Sequence, residues 1–588
     1  MQRGAAEFIN QQSDRHIPRT CDSVTFMNRI ITIARSRFAP ADIAALAILA
    51  ALVIVALFTF DDYGLGWDDY TQSQYGEMLY SYYASGFKDL RAFSFVNLFY
   101  YGGGFDLAAH ALGKILPFDM FETRRLLGGL IGIAGLAVVW RTGRRLAGPI
   151  AGLAALALLA TTPLYYGHMY INVKDAPFAV AMAFLLFTLV RAFDEYPRPR
   201  TSTVLLFGLA LGLTIGTRVI GGIAAGFVGV GAAFLLAGEI HAMGWRESAK
   251  RMAVFSGRML LALPLAYAVM GLVWPWSVLS PLNPLRAVEY FSHFWENPWR
   301  EMYEGIAVLI PNMPRSYVPK LCLLTFPEIF VGFALAGTAG AIVACVRGEA
   351  DPKKSASLML LVTAALLPIA LTVVMRPVMY NGIRHFVFVT PPFAVLGGIA
   401  AAYGYRQLQA YRERFALAAA GAFALLIAWT AVDLVRIHPY EYALFNHVAG
   451  GVRGAAQRYM TDYWGLAFKE TSEALLDQLE EHNVAPPPGR KWRVVVCGPA
   501  HTASIELGPN FETTYNAKGA DFALSLGTFY CAQLDAPVLA EAEREGVVFA
   551  RAYDLRGNSY VTTYAYPPLG EAPKGISKAD HTVNTFWQ

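Results

Sequence analysis

The sequence predicts an all-α polytopic membrane domain followed by a small C-terminal extracytoplasmic α/β domain. Three observations predict it. Eleven apolar stretches approach the length of a membrane span, the loops joining them alternate in basic content, and from Arg436 onward short strand-like runs broken by turns take over. With 55% hydrophobic and 16% charged residues over 588 positions, the chain is too apolar for a string of water-soluble domains.

Crossing a hydrocarbon core of roughly 30 Å at roughly 1.5 Å per residue takes about 20 apolar residues. Ala41–Phe60 meets this outright, and further stretches fall near 126–141, 149–166, 175–193, 202–217, 219–238, 257–276, 328–346, 356–375, 386–404 and 415–435. Basic residues set the orientation. Arg29, Arg35 and Arg37 precede the first span; Arg141, Arg144 and Arg145 follow the second; Arg191, Arg198 and Arg200 follow the fourth. Arg246, Lys250 and Arg251 follow the sixth, Lys353 and Lys354 the eighth, and Arg406, Arg412 and Arg414 the tenth. Every even-numbered span exits into a basic loop. This puts residues 1–40 in the cytoplasm and residues 436–588 outside. The first span lies far into the chain and lacks a small-residue cleavage site, unlike a removable signal peptide.

Residues 41–435 thus form the membrane domain, interrupted by two long outer loops. The loop over 61–123 is rich in aromatics and reads as short amphipathic helices on the bilayer surface, broken at Gly102–Gly104. The loop over 277–327 carries many Pro, Trp and Tyr residues and reads as irregular chain with short helices. In 436–588 a helix-like stretch, Gly465–His482, precedes the linker APPPGR and the strand-like runs KWRVVVCG, ADFALSLGTFYC, GVVFARAYDL and SYVTTYAYP. A small mixed α/β domain follows. Cys497 and Cys531 lie in it, where a disulfide and two free thiols are both open readings.

The informative residues are charges at the outer ends of spans, where ionisable groups are expensive and commonly line a cavity. Asp68 and Asp69, in GLGWDDY, open a helix in which Asp69, Ser73 and Glu77 share one face. Helix capping by Asp68, with Asp69 favoured by the helix dipole, is the plainer reading of the same pair. In YYGHMYINVKDAPF, Lys174 and Asp175 sit at the mouth between the third and fourth spans, with His168 upstream. A local Lys–Asp pair, an N-cap at Asp175 and a structural histidine compete with a functional role there. Arg218 occupies a very short outer turn after the fifth span. RPVMYNGIRHFVFVTPP brings Tyr380, Arg384 and His385 to the outer start of the tenth. Snorkelling to headgroups is the alternative for each arginine. Carboxylates from two outer loops and cations from others share one membrane face, which suits an anionic substrate. The sequence has no HExxH, CxxC pair, GxSxG or GxxxxGK[ST]. It also has no basic tract interleaved with aromatics, so no nucleic-acid partner is expected.

At these residues the chain resembles the GT-C class of integral-membrane glycosyltransferases, in particular the protein O-mannosyltransferase and lipid A aminoarabinose transferase superfamily. The resemblance is carried by the acidic pair in the first outer loop (Asp68-Asp69), the acid opening the fourth span (Asp175 in NVKDAPF), the basic residue after the fifth (Arg218), and RHFVFVTPP near the tenth. HPYEYALFNHVAGGVRGAAQRYMTDYWGLAFKE, after the last span, looks like a stretch of a bacterial subgroup. Protein O-mannosyltransferases usually carry Asp-Glu where this chain has Asp-Asp. Its C-terminal segment also does not read as the β-trefoil of eukaryotic relatives.

The resemblance implies a GT-C-like fold in a bacterial inner (plasma) membrane. It also implies inverting transfer of a sugar from a polyprenyl-phosphate-linked donor to a lipid, polysaccharide or protein acceptor on the extracytoplasmic face. Such chemistry needs one base and stabilisation of a departing phosphate. Asp68 or Asp69 would be the base, and Arg384, Arg218 and Lys174 would hold the donor phosphate. Asp175 would orient the acceptor. No cofactor is demanded, although Asp69 and Asp175 would suit a divalent metal ion. Glu77, His168, His385 and Tyr380 would line the pocket; Asp462 and Tyr463 are further contacts, and Trp464 reads as core. The competing class is a polytopic lipid or solute transporter, which would more typically place polar residues mid-span.

Overall fold

The computed structural model describes residues 39–292, 299–557 and 562–563. Nearly all of the N-terminal segment, with Arg29, Arg35 and Arg37, lies outside the described residues, as does most of the last strand-like run, SYVTTYAYP. All eleven apolar stretches are helical. Among the described residues, nine helices are long and apolar enough to cross a membrane, from Pro40–Asp62 to Glu413–Ile437. A pair bent by 65°, Pro149–Ala160 and Pro163–Ile171, passes the same test as one span, and Thr201–Thr217 is a shorter apolar helix. Helices satisfy their own backbone groups, which lipid cannot do.

Local chemistry fixes several helix starts. Pro40, Pro149, Pro163 and Pro352 sit in first turns, where no intrahelical N–H partner is lost. Asp119 caps Met120–Ala147, its carboxylate accepting the Phe121 and Glu122 N–H groups at 2.6 and 2.8 Å. This helix therefore begins six residues before the expected 126 and brings Arg124 and Arg125 into its outer turns. The bend before Pro163 corrects a second expectation. His168 lies on a buried half-helix and not in a loop.

The basic loops share one end of the bundle. Arg144 pairs with Asp42 at 2.7 Å and Arg145 with Asp194 at 2.5 Å, while Lys353 donates to the Asp194 carbonyl at 3.1 Å. These contacts join the expected cytoplasmic ends of the first, second, fourth and ninth spans.

The two outer loops occupy the other end. The first forms the helices Asp69–Ala84 and Gly104–Gly113 with short 3-10 turns between. The second forms Asn283–Ser292 and Tyr317–Thr325, plus a hairpin that the sequence reading missed. Its strands β1 (Arg300–Tyr303) and β2 (Ile306–Leu309) pair antiparallel. Glu304 and Gly305, both at positive φ, make the tight turn.

The C-terminal domain packs on the same end. After the helix Phe468–Glu481 come β3 (Trp492–Cys497), a helix at Ala500–Leu507, β4 (Phe511–Thr514), β5 (Phe522–Leu526), β6 (Gln533–Leu534), β7 (Val538–Arg544) and β8 (Val547–Asp554). The five-stranded sheet runs β4-β3-β5-β8-β7. β3 is parallel to β4 and β5, and β8 is antiparallel to β5 and β7. One hydrophobic core continues from the span residues Leu156 and Phe178, through Tyr440 and Phe468, to Val494 and Ala550 in the sheet. Cys497 and Cys531 form a disulfide that ties the end of β3 to the segment after β5.

With a 34-residue separation, a chain-entropy argument gives this cross-link about 3–4 kcal/mol. Replacing both cysteines by alanine should lower the thermal midpoint of the purified protein. A non-reduced proteolytic digest should yield the linked Cys497 and Cys531 peptides, and their absence would refute the pairing.

Candidate active site

At the end of the bundle away from the basic loops, Asp175 gathers cations from separate helices. Asn172 sets it there. The Asn172 side-chain carbonyl accepts the N–H groups of Lys174 and Asp175 at 3.2 and 2.8 Å, and its amide donates to Asp175 Oδ2 at 2.8 Å. Asp175 pairs with Arg218 at 2.8 Å and with Arg384 at 3.5 Å. It is therefore a buried bridge and not an N-cap. Arg218 projects from the end of Thr201–Thr217, and Arg384 opens the helical run Arg384–Tyr411. Neither arginine snorkels: both are committed to the same carboxylate.

Aromatic rings complete the walls. The Arg384 guanidinium lies 5.0 Å from the Tyr380 ring centre and 4.9 Å from that of Trp464. Lys174 does not pair with Asp175; its ammonium stands 4.5 Å over the Tyr101 ring, with Arg218 5.8 Å from the same ring. Burial pulls the Lys174 ammonium down from its ordinary value, opposed by the charges of Asp68 and Asp106. The Nε atoms of Arg218 and Arg384 are buried and have no hydrogen-bond acceptor among the described residues. Buried guanidinium donors without an acceptor are what an incoming phosphate oxygen would satisfy.

The acidic pair divides. Asp69 is 1% exposed and bidentate to Arg125, at 3.1 and 2.7 Å, and it also accepts the Gly66 N–H at 2.8 Å. Arg125 in turn donates to the Gly64 carbonyl at 2.6 Å. This corrects the expectation of Asp69 as base or metal ligand: its lone pairs hold the loop. Asp68 is half-buried, and its side chain caps nothing and makes no hydrogen bond or ion pair among the described residues, although its backbone carbonyl accepts the Gln72 N–H at 2.9 Å. Its charge acts on Lys174, Tyr101 and Arg384.

Of the other expected residues, His168 and His385 join the cluster and Glu77 does not. His168 Nε2 lies 2.9 Å from the Tyr463 hydroxyl and its Nδ1 3.3 Å from the Asn172 amide. The His385 and Tyr380 rings are 5.0 Å apart. Glu77 is exposed, because the face shared with Asp69 runs from the interior outward. Asp462 accepts the N–H groups of Gly465 and Leu466 at 2.8 and 3.0 Å and so shapes the turn bearing Tyr463 and Trp464. Trp464 packs in the core as expected, yet also covers Arg384. No group of three His, Cys, Asp or Glu side chains suited to a metal occurs among the described residues. Asp69 and Asp175 are each occupied by arginine, so the donor set does not fit a divalent ion.

Sequence reasoning missed Arg124 and Arg125, which pair with Asp106 at 2.7 Å and with Asp69. Two consecutive arginines at the outer end of a span, against the charge bias of such loops, were the available signal. It also missed the C-terminal grip on the loop that carries Asp68. Trp67 N–H donates to the Trp464 carbonyl at 3.2 Å, and Leu65 N–H to Glu506 Oε1 at 3.1 Å. Gly66 lies so close to the Trp464 ring that a Cβ there would overlap it.

Comparison with known proteins places a family likeness on part of this machinery. Residues 112–274, which include Arg125, His168, Lys174, Asp175 and Arg218, match the family profile for dolichyl-phosphate-mannose-protein mannosyltransferase. Over these residues the match agrees with the resemblance drawn from the sequence. No curated protein matches the chain. Among solved structures, the chain is similar to ArnT from Cupriavidus metallidurans bound to undecaprenyl phosphate. The identity is 16%, with 86% of this chain and 97% of that one covered, and a TM-score of 0.46. It is also similar to the archaeal oligosaccharyltransferase AglB from Archaeoglobus fulgidus in complex with an inhibitory peptide and a dolichol-phosphate. There the identity is 13%, the coverage 82% and 69%, and the TM-score 0.44.

Removing one partner of a buried ion pair strands the other. Arg125→Gln should therefore destabilise the protein by about 3–5 kcal/mol, whereas Asp68→Asn should stay within about 0.5 kcal/mol. Thermal unfolding of both variants in detergent checks this; equal midpoints would refute the division of the acidic pair.

Proposed function

We propose that this chain moves a sugar from a polyprenyl-phosphate carrier to an acceptor at the non-cytosolic face of a bacterial inner membrane, with inversion at the anomeric carbon. The observation that carries the reading is a cation cluster, Arg218 and Arg384 bridged by Asp175, with the unbonded carboxylate of Asp68 within electrostatic reach of Arg384 and Lys174. Nucleotide sugars are made in the cytosol, so a site on the opposite face needs a lipid-linked donor. The family profile over 112–274 points the same way.

In this mechanism the Asp68 carboxylate takes the proton of an acceptor hydroxyl. The acceptor oxygen bonds to the anomeric carbon from one side while the bond from that carbon to the phosphate oxygen breaks on the other. The electron pair stays on the phosphate, whose charge grows from about −1 toward about −2. No acid is needed to protonate it, which distinguishes the site from a glycosidase carboxylate pair. Arg218 and Arg384 direct their free Nε–H groups to the phosphate, and Lys174 adds a third positive charge. Asp175 holds the two arginines together and keeps both charged in a buried setting. Tyr380, His168 and His385 shape the space beside them. The acceptor is a hydroxyl of a lipid, polysaccharide or protein, and no step requires a metal.

Incubation of the purified protein with labelled polyprenyl-phosphate sugars and candidate acceptors tests the reading. Asp68→Asn should lower kcat by about 10²–10⁴, and Arg384→Gln or Arg218→Gln by about 10²–10³. An Asp68→Asn protein that turns over at the wild-type rate would sink the assignment of the base.

A further inference from the structure

Among the buried carboxylates this mechanism does not use, one lies next to the cation cluster in the chain fold. Glu301, on β1, is 2% exposed, and its Oε2 accepts the Asn381 N–H at 2.7 Å. Its Oε1 accepts the Gly382 N–H at 3.2 Å and the Tyr317 hydroxyl at 2.8 Å. Asn381 and Gly382 have φ of 54° and 64°. In this turn the two consecutive N–H groups converge on one anion. Here the anion is a side chain from another element. The clasped pair lies in an irregular strap between the helix Pro352–Met375 and Arg384. Tyr380 immediately precedes the clasp, and Arg384 follows it by two residues. Glu301, Tyr317, Gly382 and Tyr463 also line one small cavity.

We propose that Glu301 is the positioning residue of this strap, its carboxylate clasping Asn381 and Gly382 so that Tyr380 and Arg384 are held against the donor phosphate. The inference rests on the reading of the cluster as the donor-phosphate site, and it adds a control on that site. Burial lifts the Glu301 carboxyl to about 7, opposed by its three hydrogen-bond donors and by Arg384. The groups facing it are Tyr317 from the helix Tyr317–Thr325, Arg384 from the strap, Tyr463 after the last span and Tyr530 from the C-terminal domain. Burial raises all three tyrosines, which stay neutral, so near neutrality the charge that changes is that of Glu301.

The sign follows. Ionised Glu301 accepts all three donors, whereas protonation turns one oxygen toward donating and frees the strap. Donor binding is therefore strongest above about 7 and weakens as pH falls through that value. Fold stability runs the opposite way. The folded chain keeps this proton up to about 7 and the unfolded chain only to its ordinary 4.5, so ionisation erodes stability as pH rises through that window.

The test uses the full-length protein in detergent with undecaprenyl phosphate as probe, comparing wild type with Glu301→Gln. Wild-type affinity should drop about tenfold between about pH 8 and about pH 6. Glu301→Gln should bind about tenfold more weakly at about pH 8, with a flat pH profile. In turnover, the variant should raise KM for the donor and lower kcat by less than Arg384→Gln does. Its thermal midpoint at about pH 8 should not fall, and hydrogen exchange of the 376–384 peptide should be faster. Wild-type exchange in that peptide would overturn the positioning role, whatever the binding. A loosened strap in the variant, with no undecaprenyl phosphate bound by wild type, would support the clasp and overturn the donor reading instead.

Discussion

The site depends on the contact between Asp175 and two guanidinium groups. Arg218 and Arg384 come from helices far apart in sequence, and two like charges in a buried setting repel and resist desolvation. One carboxylate between them offsets both effects. Asn172 fixes that carboxylate by bonding both the backbone of the turn and the Asp175 side chain. Because Asp175 satisfies only part of each guanidinium, the remaining donors stay available to a third anion. A stabilising ion pair and unpaired guanidinium N–H groups coexist in the same three residues.

The other half of the site is held from the opposite direction. The Gly64–Asp68 loop is gripped from the membrane domain by Arg125 and Asp69 and from the C-terminal domain by Trp464 and Glu506. One acid of the pair is used up in this grip, which leaves its neighbour free. The Trp464 ring that confines Gly66 also stacks on Arg384. A single side chain from beyond the last span therefore touches both the segment carrying the carboxylate and the cation it faces.

The sequence was most legible where physics is one-dimensional. Length, apolarity and basic bias identified all eleven helical stretches, and alternation with turn residues marked most of the outer sheet. Residues at span ends, such as Asp68, Lys174, Asp175, Arg218 and Arg384, stood out because charges there are costly. What could not be read was pairing. Nothing in NVKDAPF indicates that Asp175 turns from its neighbour Lys174 to two distant arginines. The split between Asp68 and Asp69 depends on Arg125, which was placed just outside the second span because only the apolar run was used to locate its start. Glu301 sits in a Trp- and Pro-rich loop with no periodicity, and its role needs the left-handed turn at Asn381–Gly382, which only three-dimensional contact shows. The β1–β2 hairpin was missed for the related reason that two four-residue strands leave little pattern.

The unbroken core from spans to sheet bears on how such a chain can diversify. No plane divides a chemical module from a recognition module, because the Trp464 turn belongs to both. Recombination that exchanges the outer domain at the last helix would sever the packing around Arg384 along with the intended appendage. New specificities should arise instead by drift in the solvent-facing strands and loops, such as the edge strand β4, with the buried seam inherited whole.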